Sequence, residues 1–228
     1  MKKLLYILLA LTLLPACSKQ ALEDMEKLNG TAMDMSGKMT QAIVTVKQDA
    51  EGVVFFQLDE KTQLYPVNYA QPYEGLKRII CGLSLDKEKK RCYIHWMDEI
   101  DRGDAAMPTP ETGTPMDPQS AGLDVLDDWM TSVEDGFLTV HYSAWWGEGK
   151  VPHTLRLYRS SGEENTFELT LLHFNNGDEA LEKGDALVYF DIDPLLAPTQ
   201  GEYKTLTIKW TTLEGKAASK EFKYRSRQ

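Results

Sequence analysis

Two histidines and an aspartate come first, because imidazoles and a carboxylate brought together could hold a transition metal. His153 lies in "VPHTLRLYRS" and His173 in "NTFELTLLHF". Each takes the inward parity of a strand-like run, with Leu155 and Leu157, and with Phe167, Leu169 and Leu171. The simplest hairpin register pairs Leu155 with Leu171 and sets His153 opposite His173. With Asp178 close by, the set is weak as a metal centre, since a structural zinc site takes four ligands. The expectation is a hydrogen-bonded pair closing a core, with no metal and no cofactor. "NNGD", Asn175 to Asp178, lacks the spaced acidic positions of a calcium loop. Asn-Gly is first of all a hairpin signal.

The second candidate is an indole. In "FLTVHYSAWW", Leu138, Val140, Tyr142, Ala144 and Trp146 share the inward face. Trp145 therefore belongs with Thr139, His141 and Ser143 on the other face. Exposed there, Trp145 with His141 could stack on a sugar or anchor a protein partner. The competing reading has the linker or the first domain covering it. Asp127-Asp128 and Glu163-Glu164 fall in turns, as solvated charge rather than the paired acids of a glycosidase. With serine elbows and phosphate loops also missing, the expectation is a protein that is not an enzyme.

Three cysteines remain. Cys81 in "LKRIICGLSL" and Cys92 in "KRCYIHWM" sit on two strand-like runs. Ile79, Cys81, Leu83 and Leu85 share one face; Cys92, Ile94 and Trp96 share another. A hairpin turning at Asp86-Lys87 would set Cys81 opposite Cys92, where a disulfide needs Cα atoms about 4.4–6.8 Å apart. Two buried thiols packing as small hydrophobes are an equal alternative. Cys17 is different in kind. Met1-Lys2-Lys3 is a basic start, Leu4 to Leu14 an apolar run too short for a bilayer of about 30 Å, and polar sequence follows. Leu14-Pro15-Ala16-Cys17 resembles the lipobox of bacterial lipoproteins, which implies cleavage before Cys17 and acylation of it. Several acyl chains give stable anchoring at roughly 0.8 kcal/mol per buried methylene. Ser18, where aspartate often signals inner-membrane retention in such lipoproteins, points to the outer membrane, with the domains facing the periplasm or the cell surface.

The elements that carry these residues are short strands. Residues 17–40 read as a polar tether after the 1–16 signal segment. Residues 41–102 hold "AIVTVKQ", "GVVFFQLD", "TQLYPV" and the two cysteine runs, enough for a small barrel or sheet. Residues 103–122 carry Pro108, Pro110, Pro115 and Pro118 and read as a linker or long loop. In 123–228, short alternating runs separated by Gly-containing turns indicate a β-sandwich. Overall the fold class is all-β. The chain has 25 Lys and Arg against 35 Asp and Glu, a formal net charge of −10. Such acidity disfavours a phosphate backbone, so nucleic acid is not an expected partner.

The run "GVVFFQLDEKTQLYPVNYAQPYEGLKRIICGLSL" is similar to the first domain of NigD-like lipoproteins. The similarity rests on Leu58-Asp59, on Thr62, Leu64 and Pro66, and on Arg78. "LDVLDDWMTSVEDGFLTVHY", Pro152-His153, "LTLLHFNNGD" and Phe190-Asp191-Ile192 extend it through the second half. Phe174 departs from the pattern by separating His173 from Asn175. The resemblance implies an OB-like β-barrel followed by an antiparallel β-sandwich on an outer-membrane lipoprotein. It also implies a bacteriocin-immunity role, and with it a non-enzymatic binding protein that occludes a protein toxin or holds another envelope protein. The alternative is a surface glycan-binding lipoprotein using Trp145.

Overall fold

The structure is a computed structural model that describes residues 38–86, 90–106, 120–148, 151–159 and 167–227. Cys17, the 1–16 signal segment, most of the tether and the proline-rich part of the linker lie outside the described residues. Among the described residues the fold is all-β, with one short 3-10 turn at Asp193–Leu195. Among the described residues no helix is long and apolar enough to cross a membrane.

Five strands form a closed barrel in the order β1-β2-β3-β5-β4: β1 (Thr40–Gln48), β2 (Val54–Gln57), β3 (Gln63–Pro66), β4 (Lys77–Leu85) and β5 (Arg91–Glu99). Alternation turns Val44, Val46, Phe56, Leu64, Ile79, Cys81, Leu83 and Cys92 into the interior. The motif residues behind the family resemblance have structural work here. Asp59 accepts from the backbone N–H of Lys61 and Thr62 and from the Thr62 hydroxyl, closing the β2–β3 turn. Leu64 plugs the barrel, fully buried.

The cysteine hairpin takes a different register from the expected one. Leu85, rather than Cys81, stands opposite Cys92, and Cys81 pairs with Met97. The turn is longer than Asp86-Lys87 alone. Asp86 N–H donates to the Arg91 carbonyl, and the Asp86 carboxylate accepts from the N–H of Lys90 and Arg91. A bulge between Gly82 and Leu83 then shifts parity on β5, so Met97 packs on the core and Trp96 does not. Trp96 lies over Gly82, where any Cβ would overlap the indole. Both cysteines are free and buried.

Two short strands follow directly, β6 (Asp101–Arg102) and β7 (Asp104–Ala106), then β8 (Asp124–Val125), β9 (Ser132–Glu134), β10 (Phe137–Trp146), β11 (Thr154–Arg159), β12 (Glu168–Phe174), β13 (Glu182–Asp191), β14 (Lys204–Thr211) and β15 (Ala217–Tyr224). One sheet runs β6-β13-β10-β8 with β9 also on β10; the other runs β15-β14-β12-β11-β7. The chain thus feeds one strand into each sheet before reaching the prolines, and residues 104–106, expected as linker, are a sandwich edge strand. Strands of two or three residues carry no readable period, which hides them in the sequence. The main pairings are antiparallel; β6–β13, β7–β11 and β12–β14 are parallel. The core between the sheets holds the inward residues expected on three runs, Leu138, Val140, Tyr142, Ala144, Leu155, Leu157, Leu169 and Leu171, together with Val188, Phe190, Ile192, Leu206, Ile208 and Tyr224.

Barrel and sandwich meet through a small apolar seam of Ile43, Ile100, Phe137 and Tyr189, joined by Ile80, Met130 and Leu187. Arg78 crosses it, 1% exposed, donating to Thr45 Oγ1 at 3.1 Å and reaching Glu134 at 3.5 Å. Burial pulls the Arg78 guanidinium down, against the opposing pull of Glu134, whose own carboxyl is raised by burial.

Candidate functional site

The outer face of β10 changes character along its length. Phe137 is in the seam with the barrel, and Thr139 is fully buried. His141 lies beneath the segment 126–131. Its Nδ1 is 2.6 Å from Asp128 Oδ2, its N–H donates to Thr131 Oγ1, and its carbonyl accepts from Leu126 N–H. Desolvation tends to raise the Asp128 carboxyl, but His141 and the N–H of Met130 and Thr131 leave it lowered. Ser143 is buried, and then Trp145 emerges at 46% exposure. Residues 107–119 of the expected linker lie outside the described residues.

Trp145 has exposed company. It pairs across to Lys183, which carries an ion pair to Asp124 at 3.4 Å. Leu181, just before β13, donates its N–H to the Trp146 carbonyl and is 61% exposed. Trp129, on the segment that covers His141, is 51% exposed. Trp145 is thus an exposed indole edged by paired charges. Trp129 and Leu181 escaped the sequence reading, Trp129 because a turn residue has no strand parity to mark it.

The histidines do meet, by another register. Leu155 pairs with His173, and Leu157 with Leu171. His153 nevertheless reaches diagonally, its Nδ1 2.9 Å from His173 Nε2. His173 Nδ1 donates to the Gly122 carbonyl at 3.1 Å, and His153 Nε2 meets Asp178 Oδ2 at 3.1 Å. Asp178 also accepts from Gly147 N–H at 2.7 Å. That backbone bond leads the causes that hold the Asp178 carboxyl low, ahead of His153. Trp146 stacks on His153 with centroids 4.2 Å apart and 10° between planes. Burial, with the neighbouring His153, holds the His173 ring below its ordinary value. Every ring nitrogen of the pair has a protein partner. Among the described residues no three His, Cys, Asp or Glu side chains are grouped to hold one. The Asn176-Gly177 turn forms with both residues at positive φ, 51° and 84°. It carries the chain from one sheet to the other rather than closing a hairpin.

A second concavity runs along the junction of barrel and sandwich. Lys47, Phe55, Gln57, Glu60, Gln63, Asp135, Arg225, Ser226 and Arg227 surround a cavity of about 310 Å³. A neighbouring one of about 550 Å³ is bounded by Asp59, Glu60, Lys61, Thr62, Val133, Glu134, Tyr203 and Lys223. Glu60 lines both. It accepts from Tyr203 Oη at 2.6 Å and pairs with Arg225, whose guanidinium lies 5.0 Å from the Tyr203 ring centre. These partners are 143 and 165 residues from Glu60 in the chain, and no local spacing signals them.

A sequence model of the NigD-like N-terminal OB domain matches residues 43–100, and one of the NigD-like C-terminal β-sandwich domain matches residues 109–224. No curated protein matches the chain. Among solved structures, a Parabacteroides distasonis protein provisionally described as toxin related is 21% identical, covers 82% of this chain and 94% of its own, and superposes with a TM-score of 0.67. A NigD-like immunity protein from Bacteroides caccae is 19% identical over 82% of this chain and 97% of its own, with a TM-score of 0.58. A Bacteroides fragilis protein provisionally described as a lipoprotein is 15% identical over 84% and 100%, with a TM-score of 0.59. At these identities the structures share the fold.

Proposed function

The chain belongs to the NigD-like family, and we propose that it is a lipid-anchored envelope protein that captures a protein toxin by occlusion, without catalysis. The single observation behind this reading is Trp145, exposed on the outer face of β10 beside the Lys183–Asp124 ion pair. Tryptophan is a frequent anchor at protein interfaces, and water-excluded indoles supply most of the energy there. The immunity protein from Bacteroides caccae has the same two-domain fold, which agrees with this role. In the mechanism, acylated Cys17 keeps the domains at the outer membrane and the sandwich face binds the toxin, or its receptor, before insertion.

Deletion of the gene should sensitise cells to a cognate bacteriocin, and complementation should restore survival. A complementing gene carrying Trp145→Ala should fail while accumulating normally. Unchanged survival across candidate bacteriocins would remove the toxin reading. An oligosaccharide that binds the wild type and not Trp145→Ala would instead assign the face to glycan capture. Cys17→Ala should move the protein to the soluble fraction; persistence on membranes would refute the anchor. External protease on intact cells then reports which side of the membrane the domains face.

A further inference from the structure

We propose that the groove between barrel and sandwich is a second binding site, and that its ligand is a neutral oligosaccharide. Its barrel side is the outer surface of β2 and β3, contributing Phe55, Gln57 and Gln63, with the β2–β3 turn from Asp59 to Thr62. In OB barrels this surface is the one that takes oligonucleotides or oligosaccharides. An oligonucleotide is disfavoured by a chain of formal net charge −10. The groove itself is charge-balanced rather than basic. Lys47 is held by Asp135 at 2.7 Å, Arg225 by Glu60, and Arg227 by Asp191 and Asp193. An anion would have to displace these carboxylates, and a cation would have to displace the basic groups.

What the walls present instead is a dense array of donors and acceptors whose net charge is already cancelled. A ligand that donates and accepts at many points while carrying no charge is a polyhydroxylated one. Asp135 borders the cavity with Oδ1 already bonded to Lys47. Tyr203 adds a stacking surface for the C–H face of a pyranose: Arg225 takes one side of the ring, and 55% of the residue remains exposed. Because Glu60 lines both cavities, with Tyr203 bounding one and Arg225 the other, the two can accept successive sugar units of one chain.

Titration calorimetry on the full lipoprotein, solubilised in a detergent without a sugar headgroup, tests this directly. The probes are defined oligomers of α-glucan, β-mannan and β-galactan, with polygalacturonate as the acidic counterpart. At least one neutral series should bind, with affinity rising with length. Tyr203→Ala and Glu60→Ala should each weaken it tenfold or more, at unchanged melting temperature. Trp145→Ala should leave it intact, which separates this site from the outer face of β10. Three outcomes would overturn the assignment: no heat with any neutral series, binding confined to polygalacturonate, or full affinity in both groove variants.

Discussion

His173 Nε2 and His153 Nδ1 share a hydrogen bond at 2.9 Å, while His173 Nδ1 donates to the Gly122 carbonyl. Ala121 N–H donates in turn to the His173 carbonyl, so this ring and its backbone fasten the residues that re-enter the sandwich after the proline-rich stretch. Burial holds the His173 ring below its ordinary value, so protonating this ring opposes folding.

Stability should therefore fall with acid through this ring. Above the ordinary value of 6.5 the ring is neutral in both folded and unfolded chains, so it contributes no slope. Below 6.5 the unfolded ring takes up a proton that the folded ring, held lower by burial, resists. Stability drops until pH passes the lowered folded value. Asp59, Asp86, Asp128 and Asp178, all held below 3.8, stabilise the fold until the pH falls below that value. Glu134, raised above 4.5, slopes the other way, so the comparison must be differential. Urea midpoints between about pH 7.5 and about pH 5 should decline more steeply in the wild type than in His173→Gln. Parallel profiles would show that the ring does not titrate with folding.

Cys81 and Cys92 should behave as two protected thiols. Burial pushes each up to about 12, and their strand partners are Met97 and Leu85 rather than each other. At neutral pH a thiol reagent should find neither in the native protein and both on denaturation without reductant. Denatured protein that yields no thiol would mean an oxidised pair.

How much of this was legible in advance follows the range of each interaction. Strand parity is local, so the inward faces of β10, β11, β12, β13 and β14 are read from alternation alone, Trp145 outward included. Registers are not local. Asp86 lengthens the cysteine turn by capping Lys90 and Arg91, and that small change moves every pairing on β4 and β5. Residues Arg78, Glu60, Arg225 and Tyr203 act across the domain junction. Arg78 stands out in sequence only through family resemblance, and the others not at all.

Phe137→Ala should loosen that junction. The ring is 1% exposed, edge-on to Tyr189 with centroids 5.6 Å apart, with Arg78 and Arg227 guanidinium groups at 5.7 and 4.4 Å. Truncation removes an aromatic from a buried contact and should cost about 3–5 kcal/mol in chemical denaturation. Limited proteolysis should then cut between barrel and sandwich sooner than in the wild type. A cost below about 1 kcal/mol would show that the seam does not couple the two domains.

Trp145→Ala is the converse case, since binding and folding should separate. The indole is 46% exposed and packs no core, so its removal should change stability by no more than about 0.5 kcal/mol. If the face is the toxin-binding surface, an anchoring tryptophan contributes about 2 kcal/mol or more, which is roughly a thirtyfold loss of affinity. Leu181→Ala should give a smaller loss on the same partner, because leucine contributes less as an anchor. A partner bound equally well by both variants must use another surface, and the groove beside Glu60 would be the next to test.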